Sequence, residues 1–315
     1  MKSLRILCSI ALISTSLAYA GDDAMSVGGF IDTQYQWNNS GSPTGVVVND
    51  GAVYFSKKSG DAEAKVDLPF HNTDAGNNSV HIGEGKAQAY LSYTCPKSAV
   101  STKLGQFDTI FGFELNDTKD VFFASQGLVF NQAIPVTHRG ALVSIPASST
   151  VTLNLMGAAD SSTGVLNGTN PDWGAQVTSS GPVRLAAGAL YRKSENESGK
   201  SFYLADFVVG TDMGAWTIDA GFDMRREADA TTTGKTYLAH LVYKMDDKMS
   251  LGARGELLKE MSGFDSQLAL TVGPKIALTK ELSAKVNYTH SSVKAVTGGE
   301  SVTTHAGSIG AVYTF

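Results

Sequence analysis

Cysteine, proline, long apolar runs and positive charge are all scarce in this chain of 315 residues. Of its two cysteines, Cys8 lies inside an amino-terminal apolar stretch. Cys95 is left alone, which excludes an intramolecular disulfide and every disulfide-stapled small fold. Beside Pro96 it reads as a turn residue rather than a nucleophile. After Ala20 nothing approaches the roughly 18–20 consecutive apolar residues that a membrane helix needs. If the chain crosses a membrane, it must do so with strands closed into a barrel. The balance of 25 Lys+Arg against 30 Asp+Glu speaks against a nucleic-acid partner. Signals for chemistry are missing as well. The six histidines (His71, His81, His138, His240, His290, His305) show no close metal-ligand spacing. Gly83-Glu84-Gly85 lacks the strand-to-helix setting of a nucleotide loop, and no G-x-S-x-G precedes a helix. No catalytic residue, metal or cofactor is expected.

What is present is alternation. The first twenty residues place Lys2 and Arg5 before an apolar centre and end on Ala18-Tyr19-Ala20, the form of a secretory leader. Residues 1–20 are therefore read as removed and residues 21–315 as the mature protein. From Val27 onward, Ile31, Thr33, Tyr35 and Trp37 share one face and Asp32, Gln34 and Gln36 the other. The pattern is cleanest where Trp216, Ile218, Ala220, Phe222 and Met224 alternate with Thr217, Asp219, Asp223 and Arg225. One face suits lipid, the other water. Followed along the chain, it predicts sixteen strands of roughly ten residues, joined in turn by tight turns and longer loops. Among these, Asn38 to Asp50 reads as a loop before a short strand Ala52 to Lys57, and Lys259 to Asp265 and Ser291 to Ser301 read as loops. Trp37, Tyr191, Tyr243 and Tyr313 fall near strand ends, where aromatic girdles belong. Arg139 falls in the lipid-facing register with Ala141 and Val143, and the sequence offers no reason for it. The fold class is thus all-β, a transmembrane antiparallel β-barrel, with no residues left over for a second domain.

One long stretch breaks the alternation. Between the fifth and sixth strands, residues 108–136 mix Ile110, Phe111, Phe113, Phe122, Phe123, Leu128 and Phe130 with charged Asp108, Glu114, Asp117, Lys119 and Asp120. A connection of this length is usually functional. A barrel of sixteen strands leaves an aqueous channel, so a selective passage needs something to narrow it. The apolar residues are expected to pack on the inner wall and the carboxylates to project into the water path, making residues 108–136 a lumen constriction loop. By strand parity the basic residues facing the lumen are Lys65, Lys86, Arg184, Arg192, Arg225, Lys244, Arg254 and Lys285. Neutralising Glu114 and Asp117 together is expected to shift ion selectivity toward anions.

Three patches resemble the β-barrel porin family described as OmpL-like: Gly105-Gln106-Phe107-Asp108-Thr109, Gly112-Phe113-Glu114, and Ile134-Pro135-Val136-Thr137-His138-Arg139-Gly140. The layout is similar to that of general bacterial porins, whose third external loop also follows the fifth strand and folds inward. The resemblance implies a non-enzymatic outer-membrane channel for passive diffusion of small hydrophilic solutes and ions. It also implies a field between loop carboxylates and wall cations. The last strand, Thr304 to Phe315 with Tyr313 and Phe315 on one face, resembles the terminal strand of bacterial outer-membrane proteins. That implies the barrel-assembly machinery as a partner in biogenesis and outer-membrane lipid and lipopolysaccharide as surroundings. A substrate-specific channel and an occluded structural or adhesive barrel remain alternatives at this stage. Whether protomers form a homotrimer is open too.

Overall fold

The computed structural model describes residues 24–41, 44–72, 80–83, 86–159, 171–192, 201–227, 230–261, 263–295 and 301–315. The leader lies outside these residues. Sixteen strands follow in order: β1 Met25–Asn38, β2 Gly45–Ser59, β3 Ala62–His71, β4 Gln88–Thr94, β5 Ser101–Asp108, β6 Thr137–Pro146, β7 Val151–Ala158 and β8 Asp172–Ser180. The second half comprises β9 Val183–Arg192, β10 Phe202–Met213, β11 Trp216–Arg226, β12 Gly234–Lys244, β13 Met249–Met261, β14 Phe264–Ala277, β15 Leu282–Ala295 and β16 Val302–Thr314. A further two-residue segment, His81–Ile82, pairs with the end of β3. Each strand pairs antiparallel with the next, and β16 returns to β1 with Phe30 opposite Thr314 and Asn38 opposite Ala306. At this seam Phe315 and Gly29 exchange two backbone hydrogen bonds of 3.0 Å. Closure leaves no unpaired edge strand among the described residues, the condition for a sheet in lipid.

Burial runs opposite to that of a water-soluble protein. Leu91, Leu104 and Ile309 are 62%, 64% and 59% exposed on the outer face, while Asp32, Glu256 and Lys285 are each 1% exposed inside. A largely apolar outer surface of this kind is stable against hydrocarbon, not water. Aromatic residues gather at both rims. Trp216 lies tilted against Tyr243 at 4.7 Å between ring centres at the end carrying the short turns, with Tyr313 and Phe315 at the same end. At the loop end Trp173 lies opposite Tyr191, and Trp37 lies near Tyr288.

Several strands are longer than alternation suggested. β2 begins at Gly45, inside the stretch read as a loop, because the register against β1 slips between Asp32 and Thr33. Asp50 faces Asp32 and Val48 faces Thr33, so Asn49 is an extra residue and the two-residue period is broken there. At the loop end β13 and β14 continue to Met261 and from Phe264, and β15 runs on to Ala295. Polar residues there looked like loop but complete the ladder. Gly105 has φ +136°, and a Cβ there would come within 2.8 Å of the Tyr90 Cα, so β5 can kink against β4 just before the chain leaves the wall.

Candidate channel constriction

Residues 109–136 connect β5 to β6 and contain a short 3₁₀ turn, Thr118–Asp120, and one helix, α1, Leu128–Ala133. This segment brings apolar side chains into the interior, where apolar residues of the wall meet them. Phe111, Val129, Ala133 and Ile134 pack with inward Leu142, Met156, Leu190, Leu204, Leu238 and Leu258 into one buried cluster. Phe113, Phe122 and Phe123 surround the ring of His240 at 5.0, 6.0 and 5.8 Å between centres. Gly252 has no side chain where the Phe122 ring seats against β13. Burying such side chains contributes roughly 1.5–3 kcal/mol each, so hydrophobic packing holds the segment in place. Polar residues could not supply that alone.

Backbone groups of the segment lack a strand or helix partner over most of its length and must be satisfied by the wall. Lys285 donates to the carbonyls of Thr118, Val121 and Phe123 at 2.5, 2.6 and 3.1 Å. Arg225 donates to those of Gln132 and Ala133, at the carboxyl end of α1, at 3.1 and 2.8 Å. Lys86 reaches Asn116 O at 2.6 Å and Arg254 reaches Ser125 O at 3.2 Å. The amides of Gln34 and Asn49 both donate to Ala124 O, at 2.5 and 3.0 Å, and Gln176 donates to Ile110 O. Acids take the opposite role: Asp50 accepts from Thr118 N at 2.9 Å, Asp206 from Gly112 N at 3.1 Å and Glu256 from Val129 N at 2.9 Å. Apart from Lys86, which precedes β4, these partners sit on β1, β2, β8, β10, β11, β13 and β15.

The carboxylates of the segment do not behave alike. Glu114 departs from the expectation that it projects into water. Its side chain is 4% exposed, pairs with Arg254 and accepts Gly127 N at 2.6 Å. Burial pushes its carboxyl above the usual range, with Arg254 pulling the other way. Arg254 also lies 3.1 Å from Glu256, so one cation serves two buried acids. Asp108 accepts from the Asn116 amide at the start of the segment. Asp117 accepts the Tyr54 hydroxyl at 2.6 Å and has a side chain 24% exposed. Burial raises its carboxyl above the usual range, offset by Tyr54 and Lys119. Lys119 pairs with Asp120, and their side chains are 22% and 43% exposed.

The wall cations divide similarly. Lys86, Arg225, Arg254 and Lys285 hold the segment. Arg184 pairs with Asp212 and Asp219, Arg192 with Asp172 at 2.5 Å, and Lys65 with Asp67 at 3.0 Å. Lys244 is separate from the rest: its side chain is 59% exposed at the short-turn end, 2.8 Å from Asp247.

The chain matches, over residues 24–306, the family model described as putative beta-barrel porin-2, OmpL-like. It belongs to that family. The protein is an outer-membrane β-barrel porin, as the patches around Gly105, Gly112 and Ile134 implied. Among solved structures it is similar to the Salmonella typhi OmpF complex with daunomycin, with TM-score 0.68 and 12% identity over 93% of this chain and 98% of that one. It is similar to an anion-selective porin from Comamonas acidovorans, with TM-score 0.65 and 13% identity over 93% and 100%. The trimer form of Vibrio cholerae OmpT gives TM-score 0.62 and 12% identity over 93% and 99%. At such identities the likeness is one of fold. No curated protein matches the chain.

Two inward lysines of this porin escaped the parity reading. Lys103 faces buried Leu142 across β5 and β6 and lies over the Tyr90 ring at 4.8 Å. Lys275 lies opposite Lys285 across β14 and β15. Both were within reach of sequence: Thr102 and Leu104 bracket Lys103 outward, and Val272, Pro274 and Ile276 place Lys275 inward.

Proposed function

We propose that this porin passes small hydrophilic solutes and ions through an aperture between the Asp117–Asp120 turn of the inserted segment and the inner face of β2 to β5. Residues 108–136 act as the constriction. The observation that carries this reading is the exposure left inside the barrel. Asp120 and Lys65 keep 43% and 31% of their side chains accessible, whereas Arg254 and Glu114 keep 3% and 4%. Along that edge Lys65 lies 5.4 Å and Lys119 5.7 Å from the Tyr54 ring centre, and Lys103 lies over Tyr90. Cations here alternate with Asp117 and Asp120, an arrangement that orients dipolar solutes and sieves ions by sign. Selectivity is therefore set by Asp117, Lys119, Asp120, Lys65 and Lys103, with Glu114 in a supporting place.

The test is reversal potential across a salt gradient for single channels in a planar bilayer. Asp120→Asn shifts selectivity toward anions and Lys65→Gln toward cations; unchanged potentials in both variants overturn the reading. A second reading, a lumen closed by the segment, takes support from hydrogen bonds that reach β1 and β2 on one side and β8 and β10 on another. Stable insertion without conductance would favour it. Homotrimeric assembly belongs to the same proposal, supported by the fold shared with the trimer form of Vibrio cholerae OmpT. Lipopolysaccharide contact at the rim and recognition of Tyr313 and Phe315 by the assembly machinery complete it.

A further inference from the structure

Two histidines outside the lumen stand face to face. His290 on β15 and His305 on β16 are direct cross-strand partners, with ring centres 5.0 Å apart and planes 55° from parallel. Both point outward, because His290 also lies opposite Leu270, which is 48% exposed on the outer face. They lie toward the loop end, next to the girdle residues Trp37 and Tyr288. The geometry points to a binding site for a borderline divalent transition cation, zinc being the probe, held by His290 and His305.

Three features carry this. The first is spacing. Two imidazoles ligating one tetrahedral zinc at about 2.0–2.1 Å have ring centres roughly 5 Å apart, which is the separation already present. The second is orientation. The Tyr288 hydroxyl lies 2.6 Å from His305 Nδ1, so that nitrogen is engaged and Nε2 is the one left for a metal. With Nδ1–H donating to the Tyr288 oxygen, Nε2 presents its lone pair, the outer-shell arrangement that fixes tautomer and ring angle in metal sites. The third is rigidity. The His305 backbone is pinned from both sides by Asn39, whose side-chain oxygen accepts His305 N at 2.8 Å and whose N–H donates to His305 O at 3.0 Å. Imidazole suits zinc, copper and nickel rather than calcium or magnesium, and water fills the remaining positions. The other cross-strand pair, His71 and His81, fits less well: its rings are 5.7 Å apart and lie 22° from parallel, stacked rather than converging.

The site is tested with tag-free, detergent-folded protein at pH about 7.5, because metal ligands must be deprotonated to bind. Zinc chloride is titrated in competition with a chromogenic chelator. Saturable uptake is expected in the wild type and its loss in His290→Gln and in His305→Gln, both of which keep size and polarity in place. Tyr288→Phe should weaken binding by about tenfold or more while leaving the capacity unchanged. His71→Gln serves as the control and should bind as the wild type does. Zinc should also raise the unfolding temperature of the wild type and not of His305→Gln, since a ligand bound only to the folded state stabilises it. Absence of binding in the wild type, or binding retained in both glutamine variants, overturns the assignment.

Discussion

The two sides of the lumen use the same residue types for opposite purposes. On β11, β13 and β15, Arg225, Arg254 and Lys285 are turned onto backbone carbonyls of the inserted segment, and Arg254 and Lys285 are almost wholly buried. On β3 and β5, Lys65 and Lys103 lie over tyrosine rings with part of their side chains accessible. A lysine at an inward position is thus either a fastener or a lining charge, and strand parity does not distinguish them. What distinguishes them is whether the segment leaves carbonyls without partners opposite that strand. Buried carbonyls demand donors, so the path of the segment decides which cations are withdrawn from the channel.

The largest effect should follow from breaking the fastened side. Arg254→Ala leaves Glu114 and Glu256 buried without their cation and should cost about 3–5 kcal/mol, read as a lower unfolding midpoint and as protease cleavage within residues 109–136. Lys285→Met comes next. It strands three carbonyls, costs about 1.5–3 kcal/mol, and should raise single-channel conductance or its noise as the segment loosens. On the lining side, Asp120→Asn and Lys65→Gln should move reversal potential in opposite directions while stability stays within about 0.5 kcal/mol. If Lys65→Gln destabilises the protein as strongly as Lys285→Met does, the division between the two sides fails. Acidification gives a finer probe. Burial holds the Asp117 carboxyl above its usual range, so the shift of selectivity toward anions on lowering pH should begin earlier than for an ordinary carboxylate, and Asp117→Asn should remove that early phase. Smallest of all is Lys244→Ala, which should change neither stability nor selectivity measurably.

Much of the wall was legible because a strand writes its two faces into alternate residues. Trp216 to Arg225 shows this without exception, and the closing strand to Phe315 shows it nearly as well. Failures occurred where that period is interrupted. Asn49 adds one residue to β2 and made its first half look like a loop. The inserted segment was visible as the place where alternation stops, and its Phe111 belongs to a buried apolar cluster. Its internal bonding was not visible, because the partners of Thr118, Ala124 and Gln132 lie on strands distant in sequence. For the same reason Glu114 could not be told from Asp117 and Asp120: all three are acids in one irregular stretch, and only the fold brings Arg254 to one of them.

The most direct test of the central claim, that the aperture runs past the Asp117–Asp120 turn, is to record current through single channels of Cys95→Ser/Asp120→Cys while a bulky charged thiol reagent is added. A stepwise fall in current as each channel is modified is the predicted result, with no fall in Cys95→Ser alone. Complete labelling of the introduced thiol with unchanged current would contradict it and place the water path elsewhere in the barrel.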